Sequence, residues 1–85
     1  MASYSVFLKP SVVKELEGIP RKDRLRIVKK IQFLAADQRP IGCEKLTAQE
    51  QYRLRQGRYR IVYSVSDSDQ TVRIVKIAHR KDVYR

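Results

Sequence analysis

From Tyr52 to Tyr63 arginine and apolar residues alternate on either side of a Gln56–Gly57 pair. Period-two alternation of this length predicts half-buried strands joined as a hairpin. With Gln56 and Gly57 as a two-residue loop, Arg55 faces Arg58 and Arg53 faces Arg60. Tyr52, Leu54, Tyr59, Ile61 and Tyr63 then share the other face. Gln-Gly is not a preferred hairpin pair, and a bulged three-residue loop that shifts one strand is the alternative. Upstream, Tyr4 to Leu8 reads as a short strand ending at Lys9-Pro10. Pro10 and Ser11 open a helix with Val12, Val13 and Leu16 on its apolar side, closed by Gly18. Pro20 fits the first turn of a second helix, in which Ile27, Ile31 and Leu34 fall at i, i+4 and i+7. Arg21, Lys22, Arg24, Arg26, Lys29 and Lys30 lie on or near its polar side and read as a solvated face. Arg39-Pro40-Ile41-Gly42 breaks that helix. Ser66 to Gln70 is a turn, and Thr71 to Ala78 is a β-branched strand.

The predicted order is β-α-α-β-β-β over a single domain, residues 1–85, with no linker and no repeat. This is an α+β fold: a helical hairpin packed on one face of a four-stranded, mostly antiparallel sheet. Alternation in the last strand puts Ile74, Lys76, Ala78 and Arg80 on one face and Val75, Ile77 and His79 on the other. If Lys76 and Arg80 share the face of Arg60, Arg80 joins the arginine cluster.

Charge changes this picture. Nineteen Lys+Arg against nine Asp+Glu give 85 residues a formal charge of +10, spread along the chain. Arginines directly opposite one another weaken a sheet, so a polyanion that neutralises them accounts for the hairpin pattern; a solvated basic face is the plain alternative. A folded domain this basic meets nucleic acid or an acidic protein. No helix combines a basic face with exposed large aromatics, which argues against a membrane surface. The N-terminus lacks a signal-peptide core, no run approaches transmembrane length, and the chain reads as cytoplasmic. One cysteine, Cys43, and one histidine, His79, exclude an intramolecular disulfide and a zinc site of His and Cys ligands. No metal and no cofactor is expected.

An arginine cluster with one titratable group suits phosphodiester transesterification. The RNA 2′-hydroxyl attacks the neighbouring phosphorus and guanidinium groups stabilise the charge that develops. Tyr84, four residues beyond Arg80, is the first candidate base and His79 the second. A tyrosine with its reference pKa of about 10 is ionised to only about one part in a thousand at neutral pH, and adjacent arginines lower that value.

Lys45-Leu46, then Tyr52-Arg53-Leu54-Arg55-x-Gly57-x-Tyr59-Arg60-Ile61-Val62-Tyr63, then His79-Arg80-x-Asp82-Val83-Tyr84, taken in order, resemble the RelE branch of the RelE/ParE toxin superfamily over nearly the whole chain. The resemblance implies a RelE-like fold and the toxin of a type II toxin–antitoxin pair. Its implied activity is ribosome-dependent cleavage of messenger RNA in the A site, without metal, leaving a 2′,3′-cyclic phosphate. Arg60 and Arg80 match phosphate-stabilising arginines, and Tyr84 matches the proposed base. Arg53 and Arg55 stand where a well-known member has lysines; arginine keeps the electrostatic role but transfers protons poorly. His79 has no counterpart in that member. Lys45, Arg53, Arg55 and Arg58 are the expected RNA contacts. The implied partners are an acidic, RelB-like antitoxin and the ribosome with its A-site messenger and ribosomal RNA. Two other functions fit the sequence: a ParE-like DNA gyrase inhibitor that acts by binding alone, and a non-catalytic RNA-binding module.

Overall fold

The computed structural model describes residues 3–46 and 50–79. In chain order the elements are β1 (Ser5–Leu8), α1 (Pro10–Glu17), α2 (Arg21–Phe33), β2 (Glu44–Lys45), β3 (Gln51–Gln56), β4 (Tyr59–Ser66) and β5 (Thr71–His79). The sheet runs β1-β5-β4-β3-β2, with β1 parallel to β5 and every other pair antiparallel. The expected α+β class holds, but among the described residues the sheet has five strands rather than four. The addition is β2, whose Glu44 and Lys45 pair with Arg53 and Tyr52. Two residues are too few to carry a period-two signal.

Both helices lie on one face. α1 starts with Pro10, whose missing N–H costs nothing in the first turn, and it buries Val12 and Leu16. Val13, expected on the apolar side, is exposed. α2 buries Ile27 and Ile31, with Leu34 just past its end. These residues meet Tyr52 and Leu54 of β3, Ile61, Tyr63 and Val65 of β4, and Val72, Ile74 and Ile77 of β5 in one core. The Glu15 carboxylate of α1 accepts the backbone N–H of Ile77 at 2.9 Å, which ties helix to strand.

The hairpin keeps the predicted faces but not the predicted partners. Arg55 lies opposite Arg60, Arg53 opposite Val62, and Gln56 opposite Tyr59, so the loop is Gly57–Arg58. Gly57 has φ +60 and Arg58 does not take a positive φ. That is the glycine-first arrangement of a II′ loop, whose twist matches the flanking strands. The Arg55–Arg58 and Arg53–Arg60 pairings are thereby corrected. Because the register moves by two residues, each side chain stays on its face.

A second correction falls in β5. Val62 pairs with Lys76 but Tyr63 pairs with Ile74, so Val75 is an extra residue opposite that step. This β-bulge reverses the alternation. Ile74 therefore joins Ile77 in the core, both almost fully buried, instead of sharing a face with Lys76 and Ala78. Lys76 and Ala78 do share the face of Arg60, through the pairs Val62–Lys76 and Arg60–Ala78.

Candidate nucleic-acid interface

On the sheet face away from the helices, β3 and β4 bring Arg53, Arg55 and Arg60 side by side. Arg60 is 4% exposed, the one charged residue in the buried set among the described residues. Taking a guanidinium out of water costs several kcal/mol before compensation. Here it also lies directly across from Arg55, a like charge at close quarters. Arg53, with 17% of its side chain exposed, bonds Glu44 on the neighbouring edge strand at 2.9 Å. The three arginines border a cavity of about 300 Å³ whose rim also includes Lys30 of α2, Ile41 and Glu44. Four cations against a single carboxylate leave the cavity with an excess of positive charge, and the planar donors of arginine suit phosphate oxygens.

The other expected residues are placed as follows. Arg58 is exposed in the hairpin loop, beyond the cavity rim. Lys45 is not brought into the cluster: it pairs in register with Tyr52, and its ammonium lies 3.4 Å from Glu50. The reason is alternation, since in a two-residue strand Glu44 takes the arginine face and Lys45 the opposite one. His79 lies across from Tyr59, its ring 5.5 Å away in an edge-on arrangement, on the face opposite Arg60. Arg80 and Tyr84 lie outside the described residues. Among the described residues, no three His, Cys, Asp or Glu side chains gather as a set of metal ligands. Among the described residues, no helix is long and apolar enough to cross a membrane.

The sequence reading missed Lys30 and Glu44 at the cavity. Lys30 looks like any other base on the solvated side of α2, and no local pattern joins it to a strand more than twenty residues later. It also missed a clasp around Arg39. The Arg39 guanidinium donates to the Tyr52 hydroxyl at 2.8 Å, to Glu50 at 2.8 Å and to Asp67 at 2.9 Å. Tyr52 in turn donates to Glu50, and Tyr4 donates to Asp67 at 2.7 Å. The Tyr52 hydroxyl, then Arg39, holds the Glu50 carboxyl down to about 2. Arg39, then Tyr4, lowers Asp67. Beneath this clasp burial pushes the Tyr63 hydroxyl up, and it donates to the Gln38 carbonyl at 2.9 Å.

With this geometry the chain meets a known class. The family profile described as the ParE toxin of the type II toxin–antitoxin system parDE matches residues 6–84. The chain belongs to this family, within the RelE/ParE superfamily of type II toxins. No curated protein sequence matches it. Among solved structures it is similar to the archaeal RelE of a RelE–RelB complex from Pyrococcus horikoshii. That match has a TM-score of 0.82 and 28% identity, covering 92% of this chain and 96% of that one. It is also similar to a chain of the RelB–RelE antitoxin–toxin complex of Methanococcus jannaschii, with a TM-score of 0.74, 26% identity and coverage of 92% and 94%. Isolated Escherichia coli RelE shares the fold at a TM-score of 0.80 and 21% identity, over 96% of this chain and 92% of that one.

Proposed function

We propose that this toxin is an endoribonuclease that cuts messenger RNA in the ribosomal A site. The supporting observation is the convergence of Arg53, Arg55, the buried Arg60 and Lys30 on one cavity. Such a site holds the phosphate that is attacked, and its charge counts most where the phosphorane develops extra negative charge. In the reaction the 2′-hydroxyl oxygen bonds to the adjacent phosphorus, its proton passes to the ionised Tyr84 phenolate, and the bond to the 5′ oxygen breaks. The departing 5′ oxygen takes up a proton from water, and the cleaved strand ends in a 2′,3′-cyclic phosphate. Arg80 joins Arg60 on the phosphate. Arg53 and Arg55 position the strand from within the cavity and Arg58 from the hairpin loop beside it, while Lys45, turned to the opposite face beside Glu50, takes no part. The proposed partners are the ribosome and an acidic antitoxin that neutralises the basic surface, as RelB assembles with RelE in the similar complexes. The proposed place of action is the cytoplasm.

A second reading has its own support, because the matching family profile is that of ParE. Under it the toxin inhibits DNA gyrase by binding, and the arginine cavity contacts an acidic partner instead. Purified toxin assayed side by side on programmed ribosomes and on gyrase separates the two. A-site cleavage that vanishes with Arg60→Ala is the expected result. Loss of supercoiling without any messenger cleavage would replace the ribonuclease by the inhibitor.

A further inference from the structure

β2 stops pairing at Arg53, so among the described residues no strand covers the edge formed by Leu54, Arg55 and Gln56. Around that open edge the arginine cavity reaches α2, where Lys30 forms part of its wall. Lys30 also lines a second cavity of about 550 Å³, whose other walls are Arg26, Lys29, Phe33 and Gln56. The four α2 residues fall at i, i+3, i+4 and i+7, which puts them on one helix face. It is a separate face from the stripe that α2 buries, Ile27 and Ile31. Phe33 is 58% exposed and ends the helix, so α2, contrary to the expectation from the sequence, does set a large exposed aromatic beside basic residues. A large aromatic ring left in water, surrounded by three cations and no carboxylate, is a combination that nucleic acid satisfies well. Every base has a face that stacks on a ring, and every nucleotide brings a phosphate for the cations.

We infer that this second hollow is a nucleobase subsite for the single strand whose phosphate sits in the arginine cavity. It rests on the ribonucleic-acid reading of that cavity and extends it by one nucleotide. The base stacks on Phe33 and meets the Gln56 amide, which can both donate and accept hydrogen bonds. Lys30, shared by the two cavities, holds the phosphate between the two nucleotides. Arg26 and Lys29 neutralise the strand beyond it. The base is selected by stacking and by one amide, so preference at this position is graded rather than absolute.

The test uses the full-length toxin and a short single-stranded RNA oligonucleotide at low ionic strength. Phe33 is exposed, so its variants keep the fold, and circular dichroism checks this. Phe33→Ala and Phe33→Leu should each weaken binding on the order of tenfold, the size expected for one lost base stack. The chain has no tryptophan, so Phe33→Trp supplies a single indole whose fluorescence the RNA should quench. An oligonucleotide that is abasic throughout should not quench it. Phe33→Leu binding like wild type would overturn the inference, because the pocket would then need only apolar bulk, as for an acidic amphipathic helix. So would weakening by Arg55→Ala with none by Phe33→Ala. If neither Arg55→Ala nor Phe33→Ala alters RNA binding, the nucleic-acid reading of the arginine cavity itself falls, and the subsite with it.

Discussion

At the scale of single residues the proposed chemistry depends on a few groups with separable roles. Tyr84→Phe keeps the ring and removes the hydroxyl, so the cleavage step should slow by a factor of roughly 10² to 10⁴, the range for loss of a general base. Single-turnover cleavage on programmed ribosomes measures it. His79→Ala is the control: His79 stands by Tyr59 on the face away from Arg60, so its removal should leave the rate close to wild type. If instead His79→Ala abolishes cleavage and Tyr84→Phe does not, histidine is the base. Arg60→Ala should cost on the order of 3 kcal/mol of transition-state stabilisation, by comparison with other oxyanion donors. Because Arg60 is buried, a thermal melt must accompany the kinetics, and an unchanged rate in a folded variant would remove it from the mechanism. The arginines were legible in the sequence because strand alternation is a local signal. Lys30 and Glu44 were not, because their place at the cavity depends on how a helix end and an edge strand meet β3.

At the scale of elements the hairpin shows what a local pattern leaves open. Arg53, Arg55 and Arg60 fall on one face whether the loop is Gln56–Gly57 or Gly57–Arg58, so the face was readable and the partners were not. The loop is decided by Gly57, which takes φ +60 at the first loop position. A Cβ there would have open space around it, so any penalty for Gly57→Ala comes from the backbone alone. That penalty should be about 1 kcal/mol or more, read from the urea unfolding midpoint, with no penalty if the loop can change type. The bulge at Val75 was hidden for another reason. Arg73 and Lys76, both exposed, lie an odd number of positions apart and so mark a reversal, but the two β-branched residues between them, Ile74 and Val75, do not show which one is the extra residue. It is the bulge that lets Ile74 and Ile77 both reach the core while Lys76 stays on the face of Arg60.

At the scale of the whole molecule two charge systems act at different places. The Arg39 clasp joins residues far apart in sequence: Tyr4 ahead of β1, Glu50 and Tyr52 at the start of β3, and Asp67 in the β4–β5 turn. Its carboxylates have folded pKa values below their ordinary ones, with Glu50 at about 2 against 4.5. Their contribution is present above the unfolded value and disappears as pH falls through the folded one. Stability should therefore decline from about pH 4.5 toward pH 2, and Glu50→Gln should flatten that slope; an identical acid limb in the variant would exclude the clasp as its cause. Tyr63 contributes to the alkaline limb with the opposite sign. Its pKa is raised by burial, so stability is lost as pH rises past the ordinary tyrosine value of about 10.

The second charge system is the cavity, and ionic strength reads it without reference to catalysis. Its four cations are Lys30, Arg53, Arg55 and Arg60. If each neutralises a phosphate of a single strand, log affinity falls with log salt at about −0.7 per contact. RNA binding should then weaken on the order of fifty-fold between about 50 and 200 mM salt. Arg55→Ala should lower the slope by about 0.7, whereas Phe33→Ala should lower affinity and leave the slope unchanged, because a stacked ring releases no counterion. Lys45→Ala is the internal comparison. Lys45 bears the same charge but lies beside Glu50, off the arginine face, and its loss should change the slope much less than loss of Arg55. Equal slopes for Arg55→Ala and Lys45→Ala would mean that RNA responds to the net +10 charge of the chain rather than to the cavity.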